Sequence, residues 1–162
     1  MIVAVARPPH LTVVVLSYNR PALLDKALQS IAAQSFRDFD VVVVDNPSAQ
    51  SARVREIVAG SPGVRLVANS WNSGFTGGMN QGLSEATGEY VYLTEDDIEL
   101  DRACVATLVD FLDTHSGVGL AGPVMWNLQT PTIRCAGGDF TLGSTYQMRI
   151  HAAGQGVLPE AE

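Results

Sequence analysis

Residues 11–24 read LTVVVLSYNRPALL, and this stretch decides the fold. Leu11 to Leu16 is an unbroken apolar run dominated by valine, which suits a strand covered on both faces. Ser17 to Arg20 interrupt it with polar groups. Pro21 then suits a first helical turn, and Leu23, Leu24, Ala27, Leu28, Ile31 and Ala32 recur at helical spacing as far as Gln34. A buried strand followed at once by an amphipathic helix is the first half of a βαβ unit.

The alternation continues. Phe39 to Val44 (FDVVVV) predicts a second buried strand, and Ser51 to Ala59 a short helix stopped by Gly60 and Pro62. Val64 to Ala68 predicts a third strand, with a helix over roughly Thr76 to Ala86 that ends before Gly88. Tyr90 to Thr94 predicts a fourth strand. Arg102 to His115 carries Val105, Leu108, Val109 and Leu112 on one helical face, and Val118 to Ala121 predicts a fifth strand. The sum is an α/β fold: a Rossmann-like, mostly parallel sheet with helices on both faces. Beyond Pro123 the pattern loosens, with two short strands expected within Thr132–Tyr146 and a weakly structured tail over His151–Glu162.

Composition narrows the function. The chain has 162 residues, 46% of them hydrophobic and 17% charged, which is globular and not disordered. A net charge of -7 argues against duplex nucleic acid as a partner. Eight of the seventeen acids (Glu89, Glu95, Asp96, Asp97, Glu99, Asp101, Asp110 and Asp113) fall in one stretch whose single base is Arg102, a distribution suited to a cation. Cys104 and Cys135 form no metal-ligand spacing, which favours a reduced, cytoplasmic protein. No apolar run reaches the 18 or so residues needed to span a bilayer, so any attachment at the inner face of a membrane would come through other segments or partners.

In open α/β sheets ligands bind beyond the carboxyl ends of the strands, so the residues after each strand carry the functional information. Ser17-Tyr18-Asn19-Arg20-Pro21 follows the first strand, where neither a G-x-G-x-x-G nor a Walker loop stands. Asp45 and Asn46 follow the second strand; they suit either a base edge and ribose hydroxyl or a cap on the next turn. Glu95-Asp96-Asp97 follows the fourth. If that segment is extended, Glu95 and Asp97 converge while Asp96 points away, and a divalent cation such as Mg2+ or Mn2+ relieves their repulsion. The alternative is a solvated acidic turn, with Asp101 capping the next helix. Between the third strand and its helix, Asn72 to Gly82 forms a glycine-rich loop that allows close approach of a ligand or of packing chain. Trp71 and Trp126 are expected to be packing residues, and His10, His115 and His151 suggest no ligand cluster.

In this order and spacing, Ser17-Tyr18-Asn19-Arg20-Pro21, Val43-Val44-Asp45-Asn46, Asn72-x-Gly74 with Gly77-x-x-Asn80-x-Gly82, and Ala86-x-Gly88-Glu89-Tyr90 running into Glu95-Asp96-Asp97 resemble family 2 glycosyltransferases of the GT-A fold. The resemblance covers roughly Leu11 to Pro123. It implies a nucleotide-diphosphate-sugar donor, a divalent metal, inversion at the anomeric carbon, and a saccharide or lipid-linked acceptor. Residue by residue it implies that Ser17, Tyr18, Asn19 and Arg20 form the nucleoside segment, with the Tyr18 ring on the base. Asp45 and Asn46 fall at the base-reading pair. Relatives often carry Asp-Asp there, so Asn46 leaves uracil, thymine and guanine open. Asp97 is the implied metal ligand, with Glu95 where many relatives have aspartate, and Asp96 falls at the ribose or the metal. Gly77, Gly78 and Asn80 match the loop beside the diphosphate and sugar. The expected organisation is one GT-A domain with a leader over 1–10, a nucleotide-sugar core over 11–123, and over 124–162 the start of an acceptor region or a tail. A general base has no counterpart among Asp139, Glu160 and Glu162, which places it outside this chain.

Two rival classes make different demands. A non-catalytic, doubly wound nucleotide- or metal-binding domain would use Asp45 and the Glu95–Asp97 cluster for Mg2+; a phospho-acceptor domain would also want a lysine after a late strand, and the single lysine, Lys26, lies in the first helix. A nucleotidyltransferase would want a basic glycine-rich loop after the first strand, where Ser17–Pro21 stands.

Overall fold

The computed structural model describes residues 10–130, 132–141 and 147–150, the last stretch and residues 138–141 by their backbone alone. The expected leader up to residue 9, Tyr146 and the tail from His151 lie outside the described residues. Among the described residues, eight strands and four helices follow in the order β1 (Leu11–Ser17), α1 (Pro21–Ala32), β2 (Phe39–Asp45), α2 (Ser51–Ala59), β3 (Val64–Ala68), α3 (Gly74–Glu85), β4 (Tyr90–Glu95), α4 (Cys104–Thr114), β5 (Met125–Trp126), β6 (Ile133–Cys135), β7 (Gly138–Thr141) and β8 (Gln147–Ile150). The chain divides into two compact units, Met1–Val105 and Ala106–Glu162.

The first unit is a four-stranded, wholly parallel sheet in the order β3-β2-β1-β4. β1 and β2 are central, and their β-branched residues are buried on both faces. Val14, Leu16, Val42 and Val44 point to one face, where Met79 of α3 closes the core. By strand alternation Val13, Val15, Val41 and Val43 point to the other. There α1 and α2 pack together, burying Leu24, Leu28, Ile31, Val54 and Val58. Each such side chain contributes about 1.5–3 kcal/mol relative to exposure. The sheet with helices on both faces is thus the architecture expected from the valine runs.

What ends each strand positions the site. After β1 the backbone turns at Asn19, whose φ of 59° lies in the left-handed region that asparagine tolerates. Pro21 then occupies the first helical turn. β2 stops at Asn46-Pro47, since proline cannot extend the ladder. Register brings the ends level: Ser17 pairs with Asp45, Leu16 with Glu95, and Asp45 with Ala68. The order reverses at β1, which has β2 on one side and β4 on the other. That makes the β1/β4 boundary the topological switch point where a ligand crevice opens.

The second unit holds most of α4 and two antiparallel pairs, β5-β6 and β7-β8. The fifth strand expected at Val118–Ala121 does not form. Gly117, Gly119 and Gly122 interrupt this short apolar run, and the chain turns through it without a strand partner. The helix expected from Thr76 starts earlier, at Gly74, so most of the glycine-rich loop is helix.

Candidate functional site

Four buried side-chain oxygens lack a hydrogen-bond partner among the described residues, and three of them sit at the carboxyl edge of the sheet: Ser17 Oγ, Asp45 Oδ1 and Asp96 Oδ1. Asp96 Oδ1 has the Arg20 guanidinium as an ion-pair partner at 2.7 Å; the other two are unpaired, at roughly 1–3 kcal/mol each, and two such atoms at one edge mark a place where a ligand can complete the bonding. Ser17 and Asp96 are 0% exposed and Asp45 is 1% exposed. Burial pushes the Asp45 carboxyl above the ordinary aspartate value, opposed by the Ser51 hydroxyl and the charge of Arg55. Burial also raises Asp96. The Tyr18 backbone N–H, Arg20 and the nearby Ser17 hydroxyl oppose that rise, while the charge of Asp97 adds to it. The Ser17 hydroxyl lies close enough to Asp96 to act on it, yet makes no well-aligned hydrogen bond.

Asp96 is the hinge of the crevice. Its backbone N–H donates to Leu16 O at 3.1 Å, and its Oδ2 accepts from the Tyr18 N–H at 3.1 Å. Asp96 therefore does not point away from the site, as alternation along an extended chain had implied. β4 ends at Glu95, and Asp96-Asp97 forms a turn to which period-two alternation does not apply. Arg20 reaches across from the β1–α1 turn. Its Nη1 donates to Asp97 Oδ2 at 2.7 Å, and its Nη2 lies 2.7 Å from Asp96 Oδ1, off the hydrogen-bonding line, and 3.9 Å from Glu95. The Tyr18 ring beside them is 48% exposed, an aromatic surface at the mouth of the crevice.

Asn46 is 2% exposed and is engaged internally. Its side-chain oxygen accepts from the Asn69 amide at 3.0 Å, from the Ser73 hydroxyl at 3.2 Å and from the Ser73 N–H at 3.4 Å, while its amide donates to Gly74 O at 3.0 Å. Asn46 thus ties β2 to the β3–α3 connection, and the next residue back, Asp45, is the one with a free acceptor. On α3, Gly78 and Gly82 permit close packing: an added Cβ at Gly78 would collide with Leu16, and one at Gly82 with Val14. Gly77 lies over Ser73, and Asn80 is exposed on the same helix. Trp71 and Trp126 are not packing residues as expected. Both are exposed, Trp71 in the β3–α3 connection with Phe75 four residues on.

No three His, Cys, Asp or Glu side chains converge as a metal cage among the described residues. The oxygens of Glu95, Asp96 and Asp97 are nonetheless hard donors. They fit Mg2+ or Mn2+ in the manner that relies on one or two carboxylates and borrows substrate phosphate oxygens. Away from the site, a cavity of about 530 Å³ between α1, the start of β2 and the turn into β3 is lined by Leu28, Ile31, Arg37, Phe39 and Val64 among others, and none of the unpartnered buried oxygens borders it.

Asn69 and Ser73 were not legible as site residues. Their only signal was polarity in the segment after β3, the third position in a series where Ser17 and Asp45 already stood.

Comparison with known proteins agrees with the geometry. The family profile described as Glycosyl transferase family 2 matches residues 12–134. The chain is 34% identical over 104 residues to the GalNAc(5)-diNAcBac-PP-undecaprenol beta-1,3-glucosyltransferase of Campylobacter jejuni, covering 62% of this chain and 34% of that protein. It is 32% identical over 124 residues to the galactofuranosyltransferase GlfT1 of Mycobacterium tuberculosis, covering 74% and 40% respectively. Among solved structures, the mannosyltransferase PcManGT of Pyrobaculum calidifontis, in complex with GDP-Man and Mn2+, superposes with a TM-score of 0.59 at 31% identity, over 65% of this chain and 33% of that one. S. aureus TarS 1-349 in complex with UDP-GlcNAc superposes with a TM-score of 0.59 at 26% identity, over 69% and 37%. The chain spans about a third to two fifths of the length of these proteins.

Proposed function

The chain belongs to glycosyl transferase family 2, and from that membership we propose that its β1/β4 crevice binds the nucleoside diphosphate of a UDP-, TDP- or GDP-sugar for transfer to a saccharide or lipid-linked acceptor hydroxyl, with inversion. The observation that carries the reading is the pair of unpartnered buried oxygens on Ser17 and Asp45, beside the buried, Arg20-paired Asp96 and an exposed Tyr18. Tyr18 stacks on the base. Asp45 Oδ1 accepts a ring N–H, the donor that uracil, thymine and guanine all present. Ser17 and Asp96 hydrogen-bond the sugar of the nucleoside. Asn19 sets the turn that carries Arg20, and Gly77, Gly78 and Asn80 lie along α3 on the side of the diphosphate and donor sugar.

A sugar leaving its diphosphate builds negative charge on phosphate oxygens, and Mg2+ or Mn2+, when bound, stabilises that charge as a Lewis acid. Asp97, with Glu95 beside it, is the residue to hold the ion. The general base that takes the acceptor proton is assigned to no described residue. The GDP-Man, Mn2+ and UDP-GlcNAc complexes of the neighbours support both donor class and metal.

A second reading, a donor-binding portion of a longer transferase, draws on the 34% and 40% of the relatives' lengths that the chain spans. No described helix is long and apolar enough to cross a membrane. Action on the cytoplasmic side, at the inner membrane face where a lipid-linked acceptor would be met, is part of the proposal. Calorimetry with UDP, TDP and GDP, each with Mn2+, tests it. One nucleotide is expected to bind well ahead of the others, and absence of binding to all three would contradict the reading.

A further inference from the structure

We propose that the Arg20 guanidinium is an internal counter-cation, held between Asp96 and Asp97 in the free protein where a divalent metal would otherwise sit, so that the metal enters only together with the donor's diphosphate. This rests on the metal and donor assignment above.

Arg20 spans two carboxylates with two nitrogens, each 2.7 Å from an aspartate oxygen, and a third, Glu95, stands at 3.9 Å. The planar fork suits such bridging, which a lysine cannot reproduce. Asp96 is fixed, since the Tyr18 N–H holds its other oxygen, and Asp97 follows it in the same turn with its exposed carboxylate on Arg20. A divalent ion placed on Asp97 would therefore meet a guanidinium already bonded to one of its oxygens, and two cations at such range repel. The carboxylates alone offer no ready-made cage. A diphosphate resolves both difficulties. Its oxygens complete a metal shell, and it offers the displaced guanidinium an alternative partner, since arginine binds phosphate through the same fork. Arg20 is thus a positioning residue that makes metal affinity conditional on the nucleotide.

The test is an electron paramagnetic resonance titration of the 162-residue chain with Mn2+ alone and again with saturating UDP or GDP. Arg20→Gln is expected to bind Mn2+ alone on the order of tenfold tighter than the wild type, a difference of about 1.4 kcal/mol. That gain should shrink or reverse when the nucleotide is present, and adding Asp97→Asn should cancel it. Arg20→Lys, which keeps the charge but reaches one carboxylate at a time, should fall between and serves if Arg20→Gln does not fold. Unchanged or weaker Mn2+ binding by these folded variants overturns the inference. If the wild type binds Mn2+ with nucleotide while the variants leave affinity for Mn2+ alone unmoved, the inference alone fails. If the wild type binds no nucleotide with Mn2+, the functional reading fails and takes the inference with it.

Discussion

The Asn69 side-chain amide donates to the Asn46 side-chain oxygen at 3.0 Å, tying the end of β3 to the end of β2 beneath the crevice. Ser73 donates to the same oxygen, and Asn46 donates in turn to Gly74 O. Asn46→Ala removes these bonds from the half-buried Asn69 and Ser73 and from the exposed Gly74. At a net of roughly 0.5–1.5 kcal/mol for each hydrogen bond lost, a total loss of about 2–3 kcal/mol is expected in urea unfolding at neutral pH. A loss below about 0.5 kcal/mol, the scatter of ordinary surface substitutions, would show that Asn46 is not the strut described.

Close packing at three glycines predicts a ranking. A Cβ at Gly88 would lie 2.5 Å from Thr12 N and 2.6 Å from Leu11 C, backbone atoms that cannot move aside. At Gly82 it would meet the stiff β-branched side chain of Val14, and at Gly78 the movable end of Leu16. Overpacking costs about 1–3 kcal/mol, so alanine should destabilise most at Gly88, less at Gly82 and least at Gly78. Thermal melts of the three variants check the order, and a larger loss at Gly78 than at Gly88 would refute it.

The fold was legible because Val13–Val15 and Val41–Val44 are apolar on both faces, a pattern that suits covered strands, and because helical spacing follows each run. Pro21 and Gly60 punctuated it in the right places. The candidate site was legible as an address, the residues after each strand, and less so as geometry. Nothing local could show that Asn46 is consumed by partners 23 to 28 positions downstream. Nor could spacing show that Asp96 turns inward, because the alternation rule holds only while the chain stays extended, and it stops at Glu95. The run at Val118–Ala121 misled for a related reason: a few apolar residues do not make a strand without a neighbour to pair with.

Tyr18→Ala should weaken a free nucleoside monophosphate as well as the full donor, because stacking on the base involves neither phosphate nor metal. Aromatic stacking is worth on the order of 1 kcal/mol, so a several-fold rise in Kd is expected for both. Calorimetry with monophosphate and diphosphate side by side is the check, and loss confined to metal-dependent ligands would misplace the ring.

Burial raises the Asp45 pKa, so the folded protein holds that proton more tightly than the unfolded chain does. This contribution to stability is full below the unfolded aspartate pKa and is lost as pH rises through the elevated folded value. Asp45→Asn removes the titration. The variant should therefore gain in Tm relative to wild type as pH rises from the acid range to neutrality, while losing nucleotide affinity because the amide in place of the carboxylate weakens the ring N–H acceptor. A Tm difference that stays flat with pH would contradict the assignment of a buried, raised carboxyl.

The most direct measurement is calorimetric titration of a nucleoside diphosphate with Mn2+ into the wild-type chain and into Asp97→Ala. Asp97 is exposed in a turn at the end of β4, and its side chain holds no part of the core. The variant should melt like the wild type and retain binding of the nucleoside monophosphate, while the Mn2+-dependent gain on the diphosphate disappears. Equal Mn2+-dependent affinity in the two proteins would contradict the claim that this crevice binds a nucleotide-sugar donor through a metal held at Asp97.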